Sequence, residues 1–435
     1  MFRRCLLALT LAFCLLWGLG GCAAGREQVE QPAVEPENRL TIWAWGDSFN
    51  VKAAKLARAY YAKTDPGIQV EVVDMTREDI ATRLNTAFSS SDYEELPNIV
   101  LIEDYRIQNF LKLYPQEFRD LSSIVDPDHF IEYKLRTMTE DGKIYGVPFD
   151  CSTAALFYRT DYLRAAGYGR EDMQNLTWNE FIEIGKDVKE VTGKYMLTLD
   201  PNNLDLVRIM LQSAGTWYVK EDGESIHLAG NTALKASLST YQRMVDSGIA
   251  LQVSGTSPSI ESLYEEQVVS APTGSWAISA IMGAEEQSGK WAVAPIPRLD
   301  GIPESVNASS VGGGSWYVLE NVPGADLAVD FLKKTFASNE PLIDDLVQDI
   351  GLVSAMKPAE GFKNGSKPSA FFGGQRIYAD FMAWTEQVPP VNYGLYTYAM
   401  EDIVSLSLQF IMQGADMDKT LNDAQTQARA FILSP

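Results

Sequence analysis

Histidine is nearly missing from this chain. Its 435 residues include two, His129 and His227, too few for a His-rich metal site. Positive charge is also short: 36 Lys and Arg stand against 58 Asp and Glu, a net charge of −22. Binding to nucleic acid needs a cationic face, so that class of partner is excluded. Cysteine occurs only at positions 5, 14, 22 and 151. The apolar run at residues 6–16 is too short for an ordinary membrane span. The glycine run at 312–314 has no lysine after it and opens no helix, so it is not a phosphate loop. No cofactor motif and no internal repeat is present. What remains is a globular composition, 46% hydrophobic and 11% aromatic, on a chain too long for one ordinary core.

The N-terminus resembles a bacterial lipoprotein signal. Arg3 and Arg4 supply the positive region, the apolar run follows, and Leu19-Gly20-Gly21-Cys22 ends it. The resemblance implies a signal peptide over residues 1–21, a lipid on Cys22 and attachment to the outer face of a bacterial cell membrane. Residues 22–38, rich in Glu, Pro and Gln, read as a flexible tether. Cys5 and Cys14 leave with the signal. Cys151 is then alone, cannot form an internal disulfide, and reads as a small buried apolar residue.

The body opens as strand, helix, strand, helix, strand. Residues 40–45 are a β run, and Ala53, Leu56, Ala57 and Tyr60 keep helical spacing. Ile68, Val70 and Val72 alternate, residues 97–102 read as a third strand, and Ile107, Phe110 and Leu111 mark the next helix. This order predicts an α/β lobe with a largely parallel sheet, whose ligands sit beyond the carboxyl ends of the strands. Those ends are Trp45 to Ser48 and Glu103, Asp104 and Tyr105. Pro148, inside a strand-like stretch, suits an edge or a crossing between lobes. Thr177 and Glu180 form a capping box, Phe181, Ile184 and Val188 the buried stripe behind it, and Gly193 the stop. The Pro/Gly break at 272–274, followed at once by Trp276, reads as the second crossing. Residues 291–297 then return to the first sheet, and the glycine run reads as close backbone approach at a hinge or beside a ligand.

These parts, in this order, resemble the extracytoplasmic solute-binding proteins of ABC importers, in the cluster that includes maltose-binding protein. The resemblance covers residues 39–435 and rests on residues 143–158, 177–181, 273–278 and 290–314 taken together. It implies a two-lobe, type II periplasmic-binding-protein-like α/β fold with three hinge crossings. The expected lobes are residues 39–148 plus 277–315 and residues 149–276 plus 316–435. It implies a monomer without a cofactor or enzymatic activity, which closes on a carbohydrate and hands it to a membrane permease. By matching position, Asp47 falls on a carboxylate after the first strand, and Trp276 on a sugar-stacking ring. Glu103, Asp104 and Tyr105 fall in a loop of polar sugar contacts. Asn203 and Asp205 fall in a contributing loop of the second lobe, and Tyr393 and Tyr396 near a C-terminal aromatic.

The chemistry suits a sugar. Hydroxyls need planar acceptors and donors, and flat C–H faces need aromatic rings. Trp45, Asp150 and Trp316 complete the candidate set by their places at strand ends and crossings. Each residue also has a plainer reading. Asp47 fits a helix start, Asp150 a local backbone contact, and Trp45 and Trp316 core packing. Two other functions remain open: the same fold carrying a polyamine or a peptide, and a secreted glycosidase using Asp47 and Asp150 as opposed carboxylates.

Overall fold

The computed structural model describes residues 38–358 and 361–433. The signal peptide, Cys22 and the tether as far as residue 37 lie outside the described residues. Strands β1 (Arg39–Ala44), β2 (Gln69–Asp74) and β3 (Ile99–Glu103) alternate with helices Lys52–Tyr61 and Arg77–Ser90. A short hairpin, β4 (Thr139–Glu140) and β5 (Lys143–Ile144), precedes β6 (Gly146–Asp150) and β7 (Thr153–Arg159). Further on come β8 (Leu197–Leu199), β9 (Ala250–Gln252), β10 (Ser270–Gly274), β11 (Trp291–Pro295), β12 (Ser309–Ser310) and β13 (Gly314–Val318).

The first sheet has the order β2-β1-β3-β13-β6. β1 is parallel to β2 and β3, while β13 runs antiparallel between β3 and β6. All of β3, β6 and β13 is buried, which is why these strands read as continuous apolar runs. Pro148 lies on β6, the edge strand, where its missing N–H costs no ladder bond. The second sheet is β10-β7-β11, with β12 also paired to β7, and every pair is antiparallel. Helix Trp178–Thr192 packs in the second core. Its start is the expected capping box: Thr177 accepts from the Glu180 N–H, and Glu180 accepts from the Thr177 N–H. Gly193 ends it at φ 71°.

Two expectations are corrected. The break before Trp276 does not carry the chain between sheets, because β10 before it and β11 after it both flank β7. Residues 291–295 therefore belong to the second sheet and not the first. Antiparallel pairing on either side of β7 buries both strands, a partnership that local pattern does not reveal. The segment 277–315, expected in the first lobe, thus holds two strands of the second sheet. Trp316, expected in the second lobe, sits on β13 in the middle of the first.

The passages between sheets lie elsewhere. Cys151 and Ser152 join β6 to β7, with Ser152 at φ 43° held by Asp150, whose Oδ1 accepts the Ser152 N–H at 2.9 Å. Residues 311–313 join β12 to β13. After helix Glu340–Ile350, which packs on helix Lys52–Tyr61, residues 351–356 run back beside the first passage. There the Cys151 N–H donates to Val353 O at 3.0 Å and the Ala355 N–H to Phe149 O at 2.9 Å. The chain then reaches helix Ile377–Thr385, packed on β7. Three segments thus lie side by side where the sheets meet.

Gly312 and Gly313 hold φ of 94° and 95°, a region that L side chains avoid. A β-carbon on Gly313 would stand 2.6 Å from Asp104 Oδ2 and 3.1 Å from Asp150 O. Gly313→Ala is therefore expected to lower unfolding stability by about 2–4 kcal/mol, from strain and overpacking together. Urea titration against Gly67→Ala, where a β-carbon would meet nothing within 4 Å, measures it.

Candidate functional site

A cavity of about 120 Å³, open to solvent, lies against the second sheet. β10 ends at Gly274, and one turn of 3-10 helix, Ser275–Ala277, turns the Trp276 ring into the wall beside Pro272 and Thr273. The indole Nε1–H donates to Val311 O at 3.2 Å, which fixes the ring against the second passage. The facing wall is the loop after β8, with Asp200, Asn203 and Asp205, and the third side carries Gly255, Ser259 and Ile260. Asp200 ties two sides together by accepting the Asn202 N–H at 2.9 Å and the Gly255 N–H at 2.8 Å. Asn203 Oδ1 accepts the Asp205 N–H at 2.8 Å, and Asp205 Oδ1 accepts from Arg208 at 3.0 Å. Thr198, Thr273 and Ser259 add hydroxyls, and among the described residues no Lys, Arg or His lines the cavity. Carboxylate and amide acceptors, hydroxyls and one aromatic face are the groups a polyol needs.

The glycine passage joins this wall to the first sheet. A β-carbon at Gly312 would lie 3.8 Å from the Trp276 Nε1, and one at Gly314 would lie 3.4 Å from the Trp45 ring. Trp45, half-buried, shares a small groove with Arg77, Glu103 and Arg106. Asp47 is exposed beside Lys55, at 3.3 Å, in the turn of π-helix Asp47–Val51 that follows Gly46.

Other expected site residues are placed away from the Trp276 cavity. Asp104 is buried and accepts from Lys134 Nζ. Tyr105 is buried in the second core, stacked on Trp217 at 5.5 Å and edge-on to Tyr393 at 4.7 Å, and its hydroxyl accepts the Gly312 N–H at 2.9 Å. Tyr393 is buried and donates to Gln212 Oε1 at 2.9 Å. Trp316 is fully buried, stacked on Phe336 at 4.9 Å, in the core-packing arrangement open to it from the outset. Asp150 is buried against Ser152. Tyr396 packs edge-on to Phe431 at 6.1 Å and lines a separate groove with Asn109 and Leu395. These residues sit where the two cores meet, so sequence position near a strand end did not put their side chains in the opening.

Sequence reading missed a charged seam. Glu103, 4% exposed, accepts from Arg77 at 2.6 Å, Arg106 at 3.1 Å and the Tyr398 hydroxyl at 2.6 Å. Arg208 grips Glu401 through two nitrogens and lies over the Tyr105 ring at 4.8 Å. Arg77 follows Thr76, a helix N-cap just past a strand end, a signal that was present in the sequence. Arg208 and Glu401 are 193 residues apart and carried none.

Residues 55–370 match the family model described as bacterial extracellular solute-binding protein. The chain belongs to this family. Among solute-binding relatives, the lactose-binding protein of Rhizobium radiobacter is 41% identical over 393 residues, 90% of this chain and 93% of the relative. The arabinooligosaccharide-binding protein of Bacillus subtilis is 25% identical over 346 residues, 77% of this chain and 76% of the relative. The GacH receptor of Streptomyces glaucescens, solved unliganded and with acarbose, has the same fold at a TM-score of 0.74 and 17% identity, covering 90% of this chain and 97% of its own. An ABC-transporter-associated binding protein of B. animalis subsp. lactis, solved with β-1,6-galactobiose, aligns at 0.72 and 21% identity over 91% and 97%. MalE of Xanthomonas citri aligns at 0.72 and 20% over 91% and 98%. The solute-binding chain described here is thus a type II periplasmic-binding-protein fold.

Burial alone would raise the Glu103 carboxyl; the charges of Arg77 and Arg106 and the Tyr398 hydroxyl outweigh it and hold it below the ordinary 4.5. A depressed carboxyl adds stability above its unfolded value that is lost as pH falls through the folded value. Glu103→Gln is expected to lose about 1–3 kcal/mol at pH 7 and to unfold with a shallower acid dependence below pH 4.5. Thermal midpoints from pH 3 to pH 7 are the measurement, and a parallel pair of curves would remove Glu103 from the acid-sensitive groups.

Proposed function

We propose that this protein captures a sugar or short oligosaccharide in the Trp276 cavity and delivers it to the permease subunits of an ABC importer. The observation that carries the reading is one cavity with an aromatic wall at Trp276 facing Asp200, Asn203 and Asp205. Sugar stacks a C–H face on the ring and spends its hydroxyls on the planar acceptors. The 41% identity to a lactose-binding protein supports a carbohydrate, with a galactoside disaccharide as the first to try. The ligand is held without chemical change. Asp150 is buried against Ser152 and Asp47 is exposed beside Lys55, so the two do not stand as an opposed acid and base. Binding is coupled to movement of the lobes, since contacts made only in the shut form favour it.

Trp45 and Asp47 are the first-lobe residues proposed to meet the ligand, and Asn203, Asp205 and Trp276 those of the second, while Glu103 is taken up by Arg77, Arg106 and Tyr398. The protein works as a monomer on the outer face of the cell membrane, tethered by lipid on Cys22. Among the described residues no helix is long and apolar enough to cross a membrane, so the tether is the means of attachment in this reading.

A thermal-shift screen over lactose, arabinooligosaccharides, amino acids and polyamines tests the ligand class. A shift with a sugar is expected; a shift with polyamines alone would refute it. Trp276→Ala is expected to weaken sugar binding at least about tenfold, roughly 1.4 kcal/mol, in a protein that still unfolds cooperatively. Unchanged affinity would take Trp276 out of the site. Expressed from the full chain, Cys22→Ala is expected to leave the membrane fraction and lose labelling by a fatty-acid analogue, whereas retention of both would overturn the lipid anchor.

A further inference from the structure

Three backbone segments meet beneath the Trp45 and Trp276 rings: Cys151 with Ser152, residues 311–313, and residues 351–356. Under them lie Asp104, Asp150 and Lys134, with 1%, 5% and 0% exposure. Lys134 Nζ donates to Asp104 Oδ2, and Asp150 accepts from both the N–H and the hydroxyl of Ser152. One cation therefore serves two carboxylates in a place closed to water. Asp104 Oδ1, also buried, has no hydrogen-bond donor. The glycine passage rests directly on this cluster. The Asp104 N–H donates to Gly313 O at 3.2 Å, and the site of a Gly313 β-carbon is 3.1 Å from Lys134 Nζ.

The other groups facing Asp104 do not balance the charge. Tyr133, Tyr317 and Tyr393 are all buried, which keeps their hydroxyls protonated, and burial pushes the Cys151 thiol up to about 12. Glu103, next in the chain, is negative and already held by Arg77 and Arg106. With both aspartates ionised the buried cluster carries an excess negative charge, and one proton removes it. The oxygen without a donor, Asp104 Oδ1, is the place for that proton.

We propose that Asp104 and Lys134 are positioning residues that seat the glycine passage between Trp45 and Trp276, and that the assembled hinge binds one more proton than the hinge with its passages parted. The proton goes onto Asp104 Oδ1 and comes from water. Burial, only partly offset by Lys134, lifts this carboxyl from the ordinary 3.8 to about 6. Parting the passages admits water and lets it fall back. Assembly is thus favoured as pH drops through about 6, and rising pH loosens the hinge.

Cys151 reports the state of the hinge. It is 1% exposed, with its N–H on Val353 O and its thiol 3.5 Å from Ser354 O on the third segment. Alkylation of Cys151 in the ligand-free full-length protein, read by peptide mass spectrometry, is compared between wild type and Asp104→Asn at equal pH, so that intrinsic thiol chemistry cancels. Asparagine is the neutral mimic of the protonated acid. The wild-type rate divided by the D104N rate is expected to be severalfold higher at pH 7.5 than at pH 5. A ratio that stays constant across that range would overturn the proposal. Lys134→Met, which leaves two carboxylates and no cation, is the second variant: the midpoint of its alkylation rate against pH is expected to move up by at least one pH unit, and an unmoved midpoint is equally fatal. The consequence for affinity rests on the sugar reading above: lactose is expected to bind more tightly at pH 5.5 than at pH 7.5, and D104N to bind alike at both. Since the alkylation experiment contains no sugar, a protein that binds none would sink the sugar reading and leave the hinge result standing.

Discussion

At Gly312 and Gly313 the backbone holds φ of 94° and 95°, which L side chains avoid, and at Gly313 there is also no space for a β-carbon. On one side of it stand Asp104 and Lys134, on another Ser152 and the Trp276 indole, and at its end the Trp45 ring. This close approach joins the two sheets, since the strand that follows enters the middle of the first sheet while the strand before it pairs with β7 in the second. Remove the glycines and β13 cannot sit between β3 and β6 while Trp276 stays bonded to Val311. The hinge, the cavity wall and the core of the first sheet share one steric condition.

The division of labour among aromatic and acidic residues follows from it. Where the two cores press together, Tyr105, Trp217 and Tyr393 form a buried cluster, and the Tyr105 hydroxyl meets the Gly312 N–H. Where the surfaces part, Trp45 and Trp276 keep part of their faces free. Charges divide in the same way. Glu103, Arg77, Arg106 and Tyr398 close one seam, and Arg208 with Glu401 pins two helices of the second core together. Polar groups left for a ligand are those of the loop after β8, whose carboxylates are fixed by short local bonds and still line open space.

The Glu103 seam adds hydrogen-bonded charges beside that buried aromatic contact. Hydrogen-bonded charges hold only at good geometry, so they let the lobes settle into discrete arrangements. Buried in the same region, two carboxylates with a single lysine make the junction sensitive to protons as well as to ligand.

By itself the sequence determined the fold class. Period-2 and period-3.6 patterns, the Thr177–Glu180 cap and the glycine run are local, and local sterics and hydrogen bonding dictate them. It also put Trp276, Asn203 and Asp205 on short turns next to strand or helix ends; that they line one cavity is a matter of tertiary structure. Tertiary structure alone decided which sheet received β11, and that the break before Trp276 is not a crossing. Antiparallel partners of β7 come from far along the chain, and nothing in residues 291–295 distinguishes one buried edge from another. It also decided that Asp104, Tyr105, Trp316 and Tyr393 would be buried and not line the cavity. A strand end fixes where a side chain starts, but only the approach of a second core settles whether it meets solvent or protein.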